Sequence, residues 1–124
     1  MSNFLARMTA GLAVVTLVLV AIAAVPEMTL RQAADQNGLL VGTAVRPSLF
    51  PEPAYSETLA REFNMVEPED AMKWDVVRPD EGEFDFRQGD EIVRFAQAHG
   101  MKVRGHCLLW DHNNPQWLAK GSFT

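Results

Sequence analysis

Short apolar runs alternate with longer amphipathic segments, and this alternation constrains the fold more than any other feature of the chain. "LLVGTAV" (39–45) is almost unbroken by polar residues, as expected of a strand buried on both faces of a parallel sheet. "NMVEPE" (64–69) and "MKVRGHCLLW" (101–110) read as two further strands. Between them lie helical patterns. "TLRQAADQNG" (29–38) sets Leu30, Ala33 and Ala34 on one face and ends at Gly38. "AYSETLAREF" (54–63) groups Tyr55, Leu59 and Phe63. "QGDEIVRFAQAHG" (88–100) carries Asp90 and Glu91 in its first turn and ends at Gly100. "RPSLFPEP" and "DEGEFDF" read as loops, and "DHNNPQWLAKG" as a loop with room for another helix. Strands alternating with helices imply a parallel sheet with helical crossovers, either doubly wound or a (β/α) barrel.

The N-terminus stands apart. After Arg7 no charge occurs until Glu27, and the apolar core from about Ala10 to Val25 ends in small residues. A cation, an apolar stretch and a small-residue exit describe a secretory signal peptide, with cleavage expected near Ala23 or Ala24. An uncleaved anchor is the alternative, because the stretch approaches the ~18–20 residues that span a bilayer. On either reading residues 1–25 direct export, and membrane attachment is expected only if they are retained. The charge balance, 16 acids against 11 bases, argues against a nucleic-acid partner. No G-x-G-x-x-G or Walker loop is present. Cys107 is the sole cysteine, so it forms no internal disulfide, and a small buried apolar role suits it best.

Ligands of parallel α/β folds bind at the carboxyl ends of the strands. The second strand ends in Glu67, Glu69 and Asp70, followed by Lys73 and Trp74. Period-two alternation puts Arg104, His106, Leu108 and Trp110 on one face of the third strand. An inward Arg104 requires a carboxylate, and Glu67 is the candidate. Taken singly, each residue has an ordinary explanation: a solvated carboxylate, a surface ion pair, a half-buried histidine or, for Trp117, a packing anchor. Together they suit a polyhydroxylated ligand. Carboxylates accept from hydroxyls, ammonium donates to them, and indole offers an apolar face with a polar edge. "HCLLWDH" lacks a metal-ligand spacing, so no metal is expected.

"FNMVEPEDAMKW" resembles the Phe-Asn-x-Val-x-Pro-Glu-Asn-x-Met-Lys-Trp segment of family-10 glycoside hydrolases, the endo-1,4-β-xylanases. "KVRGHCLLW" resembles their x-Val-Arg-Gly-His-Thr-Leu-x-Trp strand, and "GLLVGTAV" and "EGEFDFRQGDEIVRFAQAHG" are similar to their first strand and to the loop and helix before the third. The resemblance runs in order over residues 29–124. It implies a (β/α)8 barrel, of which about the first three βα units are present, and retaining hydrolysis of xylan or a related β-1,4-linked polysaccharide, with no cofactor. It gives Glu69, Asp70, Lys73, His106 and Trp110 as the residues that hold sugar on the non-reducing side of the cut. Asp70 replaces the family's usual asparagine, Cys107 a threonine, and Asp111 a common histidine, which leaves glycan preference open.

The two catalytic glutamates of the family lie on its fourth and seventh strands, so both are expected beyond Thr124. A complete barrel needs about 250 residues. The chain therefore reads as the N-terminal part of a xylanase, and three strands with an open edge are expected to aggregate or stay partly unfolded, without xylanase activity. Two alternatives are a non-catalytic sugar-binding remnant and a small membrane-anchored scaffold.

Overall fold

The computed structural model describes residues 27–121. The segment read as signal peptide or anchor lies outside the described residues. In chain order the elements are α1 (Leu30–Gln36), β1 (Gly42–Val45), a 3-10 turn (Pro47–Leu49), α2 (Pro53–Glu62), β2 (Met65–Pro68), α3 (Trp74–Val77), α4 (Arg87–Ala98), β3 (Lys102–Val103) and α5 (Gln116–Ala119).

Local chemistry sets the helix limits. Thr29 caps α1 by a reciprocal box: its hydroxyl accepts from the Gln32 N–H, and the Gln32 carboxamide accepts from the Thr29 N–H, both at 3.1 Å. Gly38 and Gly100 follow α1 and α4 with φ of +65° and +61°, the left-handed region that glycine enters without strain. Pro53 opens α2 at its first turn, where a missing N–H costs nothing.

The three strands are parallel and lie side by side in sequence order, β1-β2-β3. Gly42 pairs with Met65 and Val45 with Pro68; Val66 pairs with Val103. A Cβ on Gly42 would meet the Met65 carbonyl oxygen at 2.8 Å, so the close approach of β1 to β2 needs glycine there. One face of the sheet is covered. Val45, Leu59, Val66, Ala71, Ile92, Ala96 and Met101 form a buried cluster between sheet and helices, with Phe50, Tyr55, Phe63, Phe95 and Val103 packed on it. Phe50 stacks on Phe95 at 4.3 Å between centroids. Sequential strand order with helices on one face is the arrangement of a barrel wall. A doubly wound sheet would carry helices on both faces.

Two expectations require correction. The run 39–45 is not buried on both faces: Leu39 and Leu40 are 62 % and 61 % exposed, and the strand begins only at Gly42. Its uncovered side carries Ala44 next to Glu67 and Arg104, the polar lining of a barrel interior. The third strand does not run to residue 110; it is Lys102–Val103. The ladder continues as far as the Arg104 N–H, which donates to the Val66 carbonyl at 3.0 Å. The next rung needs an N–H from residue 68, and Pro68 has none. Residues 104–110 therefore leave regular strand geometry, and Leu108 and Leu109 are exposed.

Candidate functional site

The register places the chemistry. Val45 pairs with Pro68, and the Glu69 N–H donates to the Val45 carbonyl at 3.0 Å, so the chain past β1 and the chain past β2 stay adjacent. Arg46 and Glu69 thus leave the sheet side by side on the uncovered face. The Arg46 guanidinium grips the Glu69 carboxylate with two bonds, Nε to Oε2 and Nη2 to Oε1, both at 2.6 Å. Hydrogen bonding to Arg46, reinforced by its charge, lowers the Glu69 pKa below the ordinary carboxylate value and raises that of Arg46. Arg46 also approaches Asp70 Oδ2 at 3.9 Å.

After Glu69 the chain turns, with the Lys73 N–H donating to the Asp70 carbonyl at 2.8 Å. The turn brings the Lys73 ammonium to Asp70 Oδ1 at 2.7 Å, with the lysine side chain only 12 % exposed. Above it lies Trp110, whose ring centroid is 4.8 Å from Nζ, a cation–π contact. His106 tilts against the same indole at 6.5 Å, and His112 stacks on it at 4.9 Å. Irregular backbone at 104–110 thus still brings His106 and Trp110 to the end of β2. All five residues singled out in sequence, Glu69, Asp70, Lys73, His106 and Trp110, lie in this one chain of contacts.

Glu67 lies apart from it. One rung deeper in the sheet, it takes Arg104 Nη1 at 3.1 Å, the pairing expected for an inward arginine. Trp74 and Trp117 form a buttress beneath α3. Their rings are 6.2 Å apart, the Trp117 N–H donates to the Arg78 carbonyl at 3.0 Å, and the Arg78 guanidinium covers the Trp117 ring at 4.5 Å. Asp75 ties this buttress to the 111–115 loop, accepting from Asn113 Nδ2 at 3.1 Å. Arg46 is the residue that sequence reading missed. It is the first residue past the apolar run of β1, and only the parallel register reveals its neighbour.

The crevice between Lys73 and Trp110 has only about 10 Å³ of room, and a hollow of about 120 Å³ is lined in part by Arg46 and Asp70. Carboxylates, an ammonium and a half-exposed indole side by side match the hydroxyl rim and apolar face of a sugar. Among the described residues no group of three or more His, Cys, Asp or Glu side chains could hold a metal ion.

Comparison with known proteins places the chain in a family. The sequence model of the family described as Glycosyl hydrolase family 10 matches residues 29–124. The endo-1,4-beta-xylanase C of Phanerodontia chrysosporium is 38 % identical over 98 residues, covering 77 % of this chain and 24 % of that protein. The beta-1,4-xylanase of Dictyoglomus thermophilum is 46 % identical over 68 residues, 55 % of this chain and 19 % of that one. Among solved structures, xylanase 10B of Thermotoga petrophila RKU-1 in complex with xylobiose superposes with a TM-score of 0.77 at 30 % identity, covering 82 % of this chain and 32 % of that chain. The chain thus spans between a fifth and a third of the length of these relatives.

Proposed function

The chain belongs to glycosyl hydrolase family 10, and from that premise we propose that its strand ends hold the sugar on the non-reducing side of the bond cut by an endo-1,4-β-xylanase. The observation that carries the proposal is the Lys73 hub: one nearly buried ammonium joins Asp70 at 2.7 Å to the Trp110 ring at 4.8 Å. An ammonium has three donors, so the bond to Asp70 leaves donors for sugar hydroxyls. Glu69 and Asp70 accept from hydroxyls, Trp110 takes the apolar sugar face, and His106 supports that indole from the side.

These residues bind and orient; they do not cut. Retaining cleavage needs an acid/base and a nucleophile about 5–5.5 Å apart, and in the proposed enzyme both are glutamates of strands beyond Thr124. Fixing the sugar lowers the entropic part of the barrier at that second site. The 124-residue polypeptide by itself is therefore expected not to hydrolyse xylan. Export directed by residues 1–25 would put the protein where xylan, or a related β-1,4-linked polysaccharide, is found.

The test is an exchange. Residues 29–121 replace the matching segment of the Thermotoga petrophila xylanase 10B, and both hydrolysis and xylotriose binding are measured. The exchanged enzyme is expected to release reducing ends from xylan, and the 124-residue chain to release none. A folded exchanged enzyme that neither binds xylotriose nor cuts xylan would refute the proposal, and reducing ends released by the chain alone would refute the division between binding and cutting.

A further inference from the structure

Arg46 stands outside every residue expected to touch sugar, yet it makes the tightest contact of the cluster. Three observations converge on it. Its guanidinium meets Glu69 in a two-bond fork at 2.6 Å, a planar geometry that fixes the direction as well as the distance of the carboxylate. Its own backbone is held in turn: the Arg46 N–H donates to the Tyr55 hydroxyl of α2 at 3.3 Å, and Pro47 is buried directly after it. Its second reach, 3.9 Å to Asp70, falls on the position where a carboxylate replaces the family's asparagine.

Two adjacent carboxylates at a strand end repel each other, and Asp70 opposes the ionisation of Glu69. The groups facing Glu69 are Arg46, just past β1, and, from its own turn, Asp70 and Lys73. Lys73 bonds Asp70 and acts on Glu69 only through its charge, less strongly than Arg46. Arg46 is then the group that holds Glu69 ionised and directed. We infer that Arg46 is a positioning residue: it orients Glu69 toward the sugar and offsets the extra negative charge that Asp70 brings to the site. The inference rests on the sugar-binding reading above. It adds a residue just past β1 on which tolerance of an aspartate at position 70 depends.

The test uses Arg46→Gln, Arg46→Lys, Asp70→Asn and the double variant Arg46→Gln/Asp70→Asn. In the exchanged enzyme, the Glu69 carboxyl carbon is followed by NMR through an acid titration, and kcat and KM on xylan are followed against pH. The expected result is that Arg46→Gln raises KM by up to about fivefold, the span of an exposed ion pair, with kcat unchanged. Glu69 becomes easier to protonate, so the acid limb of kcat/KM moves to higher pH. Arg46→Lys restores part of the KM, and Asp70→Asn in the Arg46→Gln background restores more than it does in the parent. A KM and acid limb unmoved by Arg46→Gln overturn the inference. So does a Glu69 titration that is the same in the exchanged enzyme and its Arg46→Gln variant. If Glu69 responds to Arg46 but the parent exchanged enzyme binds no sugar, the sugar-site reading fails and the positioning role with it, while a parent that binds sugar with Glu69 unresponsive overturns the role of Arg46 alone.

Discussion

Lys73→Met separates binding from scaffolding. Methionine keeps the length of the apolar stem and removes the charge, so the nearly buried channel stays filled. Three interactions are lost. The bond to Asp70 contributes little to stability, because Asp70 is half exposed and its freed carboxylate rehydrates; the loss is below about 1 kcal/mol. The contact with the Trp110 ring adds about 0.5–1 kcal/mol at a partly exposed site. The third interaction is the proposed one with bound sugar: a hydrogen bond from a charged donor, worth about 1.5–3 kcal/mol. Binding should therefore weaken by roughly 10- to 150-fold, while unfolding shifts by at most about 2 kcal/mol. Calorimetric titration of the exchanged enzyme with xylotriose reads the first quantity, and a denaturant midpoint reads the second. A Lys73→Met protein that binds xylotriose as its parent does would show that Lys73 serves only the fold. A loss of affinity matched by an equal loss of stability would refute the separation.

Two other perturbations test the frame around the site. Asn64 is 6 % exposed and joins α1 to β1, donating to Asp35 Oδ1 at 2.7 Å and the Leu39 carbonyl at 2.9 Å while accepting from the Val41 N–H at 2.8 Å. Asn64→Ala strands these partners and should cost about 2–4 kcal/mol; equilibrium denaturation checks it, and Asn64→Asp should cost more because it faces Asp35. Hydrogen bonding to Arg87 lowers the Asp85 pKa from 3.8 to about 2, and Asp85 also accepts from the Arg87 N–H at the start of α4. A depressed carboxyl stabilises the fold above its ordinary pKa and loses that contribution as pH falls through its folded value. Melting temperatures of the parent should therefore drop between pH 3.8 and about 2 by a component absent from Asp85→Asn.

How much of this was legible in sequence depends on the distance over which each feature is determined. The three helices 30–36, 53–62 and 87–98 fall within one or two residues of their sequence limits, because caps, glycine stops and apolar spacing act over a few residues. Parity was legible too: Met65, Glu67 and Glu69 share the uncovered face, opposite Val66 and Pro68. The end of the third strand was not. It depends on a proline in the neighbouring strand, thirty-odd residues earlier, which removes the donor that Arg104 would have needed.

Arg46 failed to show for the same reason. As a sequence neighbour it precedes a proline-rich loop and looks like any solvated cation. Its importance comes from parallel pairing, which sets residue 46 beside residue 69 once Val45 is opposite Pro68. Charge complementarity across a parallel sheet has no signature along the chain, since the partners are separated by a whole crossover helix. It can be recovered from sequence only by fixing the register first and then asking which charges the register aligns. In the structure that register pairs 44 with 67 and carries 46 to 69, which sets Arg46 beside Glu69. The site is thus composed of two kinds of residue: those gathered by a local motif, such as Glu69, Asp70 and Lys73, and those brought in from other parts of the chain, Arg46 from just past β1 and His106 and Trp110 from the irregular segment after β3. The second kind orients the first: Arg46 fixes the direction of Glu69, and the Trp110 ring covers the Lys73 ammonium.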